Sequence, residues 1–171
     1  MQLAGRAVNL RPVLPEDAPR LLEIVTHPEV ARWWPAWDAD RVDRDLIAAD
    51  PHSVHLAIEH DGRVIGALQA WEEPDAEYRH AGIDLFLDPA VRGRDLGPDA
   101  IRAVAAWLLD DRGHHRLTID PAADNAAAIR AYEKVGFRPV GRLRRYQRMA
   151  DGSWADGLLM EMLADELVRD G

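Results

Sequence analysis

The sequence contains no cysteine among its 171 residues. It therefore offers no disulfide framework, no cysteine-type zinc site and no thiol nucleophile. It also lacks a run of about 18 apolar residues, so we expect no membrane span. The first residues, MQLAGRAVNL, lack the basic segment and long apolar segment of a secretory signal peptide, and we expect a cytoplasmic protein.

Basic residues are fewer than acidic ones, 21 against 30, and Lys134 is the only lysine in the chain. The formal net charge is −9, which disfavours nucleic acid as a partner because phosphate backbones bind basic surfaces. An acidic cleft would attract a cationic small molecule. A negative net charge also serves solubility alone, so charge by itself leaves both interpretations open.

The periodicity of the apolar residues predicts a single mixed α/β domain over residues 1–171. The predicted elements are a strand (8–13), a helix (15–27), a weakly apolar helix (38–50), a hairpin (53–71), a strand (78–88), a helix around 101–108, a strand (114–120), a helix (125–136) and a final hairpin (137–149 and 154–163). This order predicts a largely antiparallel central sheet with flanking helices.

The stretch DLFLDPAVRGRDLGPDA joins a predicted strand to a predicted helix through a glycine loop. Backbone N–H groups at a helix start are unpaired and favour anions. Gly93 and Gly97 would let the backbone approach an anion closely, and Arg92 and Arg94 could add charge. The stretch is neither a Walker loop nor a GxGxxG motif, so an ordinary strand-to-helix loop stays open at this point.

The stretch TIDPAADNAAAIRAYEKVGF predicts a second helix, with Asp124 or Asn125 as its cap. Tyr132 follows seven residues later and lies near the same helix face. Taken alone, this pattern is typical of a helix cap and a partly buried tyrosine.

Together, Arg92-Gly93-Arg94-Asp95-Leu96-Gly97 and the later DN followed by YEKVGF resemble the acyl-CoA-binding core of the GNAT superfamily of N-acetyltransferases. The resemblance covers essentially the whole chain. It implies the GNAT fold, with a splayed pair of strands in the central sheet, and acetyl-CoA as the acyl donor.

The resemblance also implies how acetyl-CoA binds. Backbone groups of Leu85, Phe86 and Leu87 would bond to the pantetheine arm, and the amides from Arg92 to Gly97 would hold the pyrophosphate. Asn125 would bind the pantetheine arm as well. Tyr132 would donate a proton to the departing thiolate. Arg130 would meet a phosphate, although an exposed helix arginine explains it equally well.

Asp95 departs from the family pattern, which usually has glycine at this position. If the carboxylate points to solvent, the amide still serves the phosphate; if it points inward, it repels the phosphate. We predict the outward orientation. Pro98 lacks an N–H group and removes one possible donor.

Within the superfamily, the chain most resembles aminoglycoside 6′-N-acetyltransferases, through EVARWWP, IGALQAW, GIDLFL, TIDPAADNAAAIRAYEKVGF and the ending DGSWADGLLM. Siderophore-type lysine acyltransferases and enzymes acting on protein N-termini share several of these pieces and remain alternatives. A non-enzymatic acyl-CoA-binding module is a third alternative, which Asn125 and Tyr132 disfavour.

The resemblance places Asp84 and Asp120 in the acceptor site, where Asp84 could orient the amine and take its proton. The alternatives are a solvent-facing strand residue for Asp84 and a strand-ending aspartate before Pro121 for Asp120. Other acidic residues beside the central strands could pair with ammonium groups, and they are Glu72, Glu73, Asp75 and Glu77.

Further acceptor contacts are predicted from Trp33, Trp34 and Trp37, which alternatively form a small core around the N-terminal helices, and from Gln69 and Trp71. Without Cys or a Ser/His motif, we expect the neutral amine to attack the thioester directly. The adjacent His114 and His115 would face opposite ways on a strand, so we predict no metal site. Whether the protein is a monomer or a homodimer stays open.

Overall fold

The computed structural model describes residues 1–48 and 50–169. Ala49, which falls in the predicted second helix, and Asp170 and Gly171, which end the predicted domain, lie outside the described residues. Within the described part, none of the helices has the length and apolar character that crossing a membrane requires.

In the part of the chain that the structure describes, eight strands form one sheet in the order β1-β2-β3-β4-β5-β6-β8-β7. They are β1 (Leu3–Ala4), β2 (Asn9–Pro12), β3 (Ser53–His60), β4 (Arg63–Glu72), β5 (Ala81–Leu87), β6 (Arg116–Ile119), β7 (Arg138–Arg148) and β8 (Trp154–Leu163). Every neighbouring pair is antiparallel except β5 and β6. The predicted largely antiparallel sheet is therefore confirmed.

The parallel strands β5 and β6 pair over two residues each, Ala81 with Leu117 and Gly82 with Thr118. From Ile83 to Leu87, β5 pairs with β4 on its other side, while β6 continues to Ile119 and Asp120 follows it. The two strands therefore diverge in the middle of the sheet, as the splayed pair of the prediction requires, and leave a gap between their carboxyl ends.

Among the described residues, five α-helices flank the sheet. They are α1 (Ala18–Val25), α2 (Pro28–Ala31), α3 (Ala39–Val42), α4 (Leu96–Ala106) and α5 (Ala126–Glu133). The predicted helix over 38–50 is shorter than expected, because α3 and the π-helical turn that follows it end at Ile47 and the backbone of Ala48 is extended. Conversely, α4 begins at Leu96 instead of near residue 101, with Pro98 in its first turn, where no N–H is needed.

Both faces of the sheet are buried. Ile83 and Leu85 point into the main core, which also contains residues of α4 and α5. Phe86 points the other way, into a second core built with α1, α2 and α3. Since side chains alternate along a strand, Asp84 shares the face of Phe86.

Asp99 holds the start of α4 against the N-terminal segment. Its buried carboxylate accepts hydrogen bonds from the amides of Arg6, Ala7 and Val8 at 2.9, 2.8 and 3.1 Å. A Cβ atom on Gly5 would lie 2.5 Å from the same carboxylate, so a side chain at this position would push Asp99 away from the three amides. The N-terminal strands and the helix that follows the glycine loop are thereby tied together.

Candidate active site

A cleft of about 1030 Å³ opens where β5 and β6 diverge. The predicted site residues that line it are Trp33, Trp34, Asp84, Leu85, Phe86, Leu87, Arg92, Gly93, Asp95, Leu96, Gly97, Asp120, Asn125, Arg130 and Tyr132. Segments far apart in the sequence therefore meet at one place, although their individual roles stay predictions.

The glycine loop ends in a helix start that faces this cleft. Gly93 and Asp95 both have left-handed backbones, with φ of +75° and +53°. The first turn of α4 closes when the Asp99 amide donates to the Asp95 carbonyl at 3.1 Å, and Pro98 has no N–H. The N–H groups up to Gly97 precede this bond and have no intrahelical acceptor, which fits a diphosphate.

Asp95 lies at the rim of the cleft, where its carboxylate is mostly exposed. Lys134 Nζ donates to Asp95 Oδ1 at 2.8 Å, and this ion pair holds the pKa of Asp95 below its usual range. The predicted outward orientation therefore comes with a neutralising partner. The left-handed backbone also explains why glycine is usual here and why aspartate, which tolerates that conformation, can replace it.

The two arginine side chains of the loop contact other elements. Arg92 Nη1 donates to Glu29 Oε2 at 3.0 Å. Arg94 Nη2 lies 2.9 Å from His60 Nε2 at the end of β3, and Arg94 does not line the cleft. That the Arg94 side chain adds charge at the phosphate stays a prediction, which its contact with β3 disfavours.

Asn125 both caps α5 and borders the cleft. Its Oδ1 accepts a hydrogen bond from the Ala128 amide at 3.2 Å. The amide NH₂ of the same side chain stays available as a donor, so capping and donor binding are compatible. Arg130, one turn further on, is exposed at the cleft.

Asp84 and Asp120 form an acidic pair at the floor of the cleft. Although the Asp84 side chain meets solvent through the opening, protein surrounds it on its other sides, and this burial together with the charge of Asp120 raises the pKa of Asp84 to about 7. Burial also raises the pKa of Asp120, while a hydrogen bond from Tyr146 opposes that rise. Two neighbouring carboxylates of this kind suit binding and deprotonation of an amine.

Tyr146 was not identified from the sequence as a site residue. It lies on β7, lines the cleft and donates its hydroxyl hydrogen to Asp120 Oδ2. Sequence patterns give no signal for this contact, because Asp120 directly follows β6, Tyr146 lies 26 residues later on β7, and β8 separates these two strands in the sheet.

Tyr132 lies below the carboxylate pair and is 8% exposed. Burial, and then the charges of Asp84 and Asp120, raise the pKa of its phenol well above the usual value. The phenol therefore keeps its proton at neutral pH, as a proton donor must.

The sequence left open whether the three tryptophans contact the acceptor or form a small core, and the structure places two of them in the second core and all three in the cleft lining. Trp34 and Trp37 pack on Phe86, with ring centroids 5.2 and 6.3 Å away, in the second core. Trp33, Trp34 and Trp37 also line the cleft. They therefore form one wall of the cleft above the second core.

Three predicted acceptor residues lie outside the cleft lining. Gln69 pairs with Asp84 across β4 and β5 and shares its face, but does not line the cleft. Trp71 packs over Gly82, and its ring centroid lies 5.2 Å from that of His80. Glu73 accepts a hydrogen bond from the Asp75 amide at 3.0 Å within its own loop. Their roles as acceptor contacts stay predictions, and local partners hold Trp71 and Glu73.

Residues 1–48 and 50–169 contain no group of three or more His, Asp or Glu side chains that could hold a metal ion. His114 is instead buried with its Nε2 atom 2.7 Å from Glu72 Oε2.

A family model described as "Acetyltransferase (GNAT) domain" matches residues 7–138. The chain belongs to the GNAT family of acetyltransferases. The acyl donor of this acetyltransferase is therefore acetyl-CoA, and the expected GNAT fold is confirmed.

Its relatives act on different amines. The chain is 28% identical over 153 residues to aminoglycoside N(6′)-acetyltransferase type 1 of Klebsiella pneumoniae, covering 79% of this chain and 76% of the relative. It is 31% identical over 117 residues to the N-alpha-acetyltransferase RimI of Mycobacterium tuberculosis, covering 67% and 69%. Spermidine N-acetyltransferase from Vibrio cholerae, solved with CoA and spermine, has the same fold, with a TM-score of 0.79, 18% identity and coverage of 94% and 97%.

Proposed function

We propose that the acetyltransferase transfers an acetyl group to a primary amine of a polycationic small molecule, with the 6′-amine of an aminoglycoside as the best candidate. We place this activity in the cytoplasm. The observation that carries the proposal is the Asp84–Asp120 pair at the floor of a cleft walled by tryptophans. Carboxylates bind ammonium groups, and apolar ring faces suit the carbon skeleton between them.

Two side chains would handle the protons. Acetyl-CoA supplies an activated acetyl thioester. Asp84, with a pKa of about 7, is half ionised near neutral pH and can accept a proton from the bound ammonium group, which leaves a neutral amine to form the new C–N bond. Tyr132 keeps its proton and can give it to the thiolate sulfur when the C–S bond breaks.

The backbone would hold the donor in place. The amides between Gly93 and Gly97 would bind the pyrophosphate, and Leu85 to Leu87 and Asn125 would bind the pantetheine arm. Holding amine and thioester together in one complex supplies a large part of the rate in such reactions.

An acceptor screen tests the proposal. Acetyl-CoA consumption would be measured with a kanamycin-type drug, a matched drug without a 6′-amine, spermidine and a short peptide. We expect turnover with the first to exceed turnover with the second by at least about a hundredfold. Equal turnover, or none, would show that an aminoglycoside 6′-amine is not the acceptor.

A protein N-terminus is the second candidate, because RimI is a 31% identical relative. Turnover of the peptide with no turnover of the polyamines would favour it. A siderophore precursor is the remaining alternative, and preference for a longer acyl-CoA over acetyl-CoA would favour that acceptor.

A further inference from the structure

Strand β7 departs from regular pairing where it passes the cleft. Its register with β8 shifts between Leu143 and Gln147, and Arg145 has a left-handed backbone with φ of +50°. Asp156 Oδ1 holds this irregular segment by accepting a hydrogen bond from the Arg145 amide at 2.8 Å. Gln147 Nε2 then donates to the Trp33 carbonyl at 3.2 Å, so the hairpin reaches across to the tryptophan wall.

Gly157 on β8 leaves the space in which the Tyr146 ring packs. A Cβ atom added to Gly157 would lie 2.9 Å from Tyr146 Cδ1 and 3.5 Å from Cε1. The Tyr146 ring can pack this close to β8 because residue 157 has no side chain. In this position the Tyr146 hydroxyl donates its hydrogen bond to Asp120.

Three side chains interact with Asp120. Asp84 on β5 and Tyr132 on α5 interact with its charge, and Tyr146 on β7 interacts by a hydrogen bond. Arg32 and Arg148 also line the same cleft. Tyr146 is the one of the three that donates a hydrogen bond to Asp120. The bond raises the pKa of Tyr146 well above its usual value, so the phenol stays a donor.

We propose that Tyr146 is a positioning residue that holds Asp120 as the ionised member of the Asp84–Asp120 pair, which leaves Asp84 as the member that exchanges the proton of the acceptor. The proposal rests on the proposed amine acetylation.

The physical reason lies in the coupling of the pair. Two neighbouring carboxylates repel each other when both are ionised, so the first proton taken up goes to the one that is less stabilised as an anion. The Tyr146 hydrogen bond stabilises the anion of Asp120 alone. It also fixes one Asp120 oxygen and leaves the other for an ammonium group.

A titration that needs no acceptor tests the proposal directly. Carboxyl carbons of the aspartates are labelled with ¹³C, and the signals of Asp84 and Asp120 are assigned with Asp84→Asn and Asp120→Asn variants. In the unmodified chain we expect the step near pH 7 to appear on Asp84. In Tyr146→Phe we expect the ¹³C signals of both Asp84 and Asp120 to shift in this titration step. If Asp120 stays silent through that step in Tyr146→Phe, the proposal is wrong.

Gly157→Ala is the second variant, because it should displace the ring while leaving the phenol, Asp84 and Asp120 chemically unchanged. We expect both signals to shift in this step, as in Tyr146→Phe, and an unchanged titration in this variant would also contradict the proposal. Tyr78→Phe is the matched control, since Tyr78 is 70% exposed and does not line the cleft. It should leave the titration unchanged.

Kinetics separate this proposal from the proposed function. With an acceptor found in the screen, we expect Tyr146→Phe to raise the KM for the acceptor about tenfold and to leave the KM for acetyl-CoA within about twofold. A raised acetyl-CoA KM with an unchanged acceptor KM would overturn the positioning role. Suppose that no aminoglycoside is acetylated, but that both carboxyl signals shift in the titration of Tyr146→Phe as expected. The proposed acceptor would then be wrong, and the positioning role of Tyr146 would be supported.

Discussion

Lys134 Nζ lies 2.8 Å from Asp95 Oδ1 and joins the two sequence motifs that carry the family resemblance. Asp95 precedes α4 in a left-handed conformation, and Lys134 follows α5 directly. The only lysine of the chain thus neutralises the one acidic side chain of the glycine loop. This pair predicts how the loop tolerates an aspartate.

Replacing Asp95 with glycine should change acetyl-CoA binding only slightly. Glycine adopts the left-handed backbone without strain, and an exposed ion pair contributes little. We expect isothermal titration to give a Kd within about tenfold of that of the unmodified chain. Lys134→Gln should weaken binding by about two- to fivefold, because it leaves the Asp95 charge beside the phosphate. Much tighter binding by Asp95→Gly would mean that the carboxylate repels the donor.

Tyr132→Phe should lower kcat by about a hundredfold, because it removes the buried phenol that keeps its proton at neutral pH. The Kd for acetyl-CoA should stay within about twofold, since the ring and its packing against Phe137 remain. Steady-state kinetics and isothermal titration measure the two quantities. Unchanged kcat would remove Tyr132 from the mechanism.

The pH dependence of kcat/KM should follow the ionisation of Asp84. The base must be ionised to accept a proton, so kcat/KM should rise with pH and level off above about 7. Asp84→Asn should lower kcat/KM by about a hundredfold and remove this step from the profile. A profile of unchanged shape in the variant would show that another group titrates there.

Asp84 should also make folding less stable as pH rises from 3.8 to about 7. Its folded pKa of about 7 lies above the value of 3.8 for an unperturbed aspartate, so the folded state binds the proton more tightly and loses stability as pH rises between these values. Asp84→Asn should therefore raise Tm, with a gain that is near zero at pH 4 and largest above pH 7. Each kcal/mol corresponds to roughly 2–4 °C in a chain of this length. Thermal scans across this pH range measure the difference, and a gain that shrinks with pH would contradict it.

Two substitutions separate the two uses of Asn125. Asn125→Asp keeps an oxygen for the Ala128 amide but loses the NH₂ donor, so we expect weaker acetyl-CoA binding, by about tenfold, with unchanged thermal stability. Asn125→Ala loses the cap as well and should also lower stability by about 1 kcal/mol. Equal acetyl-CoA affinity of Asn125→Asp and the unmodified chain would leave Asn125 with the capping role alone.

Local sequence patterns predicted most of the fold. The hairpin over 53–71 became β3 and β4 around the Asp61-Gly62 turn, since a short turn and alternating side chains are set by neighbouring residues. The helix predicted over 38–50 was too long, because only Val42 and Leu46 of α3 and the following π-helical turn are buried.

The contacts of the candidate site depended on tertiary structure and were harder to predict. Family motifs located Asp84, Asp120 and Tyr132, which meet at the cleft. No sequence pattern indicated that the Asp99 carboxylate accepts hydrogen bonds from the amides of residues 6–8, or that the Tyr146 ring packs against Gly157. Each joins residues whose neighbours in the chain look ordinary, so composition and periodicity contain no information about them.

The divergence of β5 and β6 also bears on aggregation. Bare strand edges tend to recruit strands from other chains, and proteins usually shorten, charge or cover them. The inner edge of β5 beyond Gly82 is such an edge, yet it lies in the middle of an eight-stranded sheet, below the wall of the cleft. We expect the cleft to admit a slender, extended molecule that pairs with this edge, and we expect the flanking strands β4 and β6 to hinder another protein's strand from reaching it.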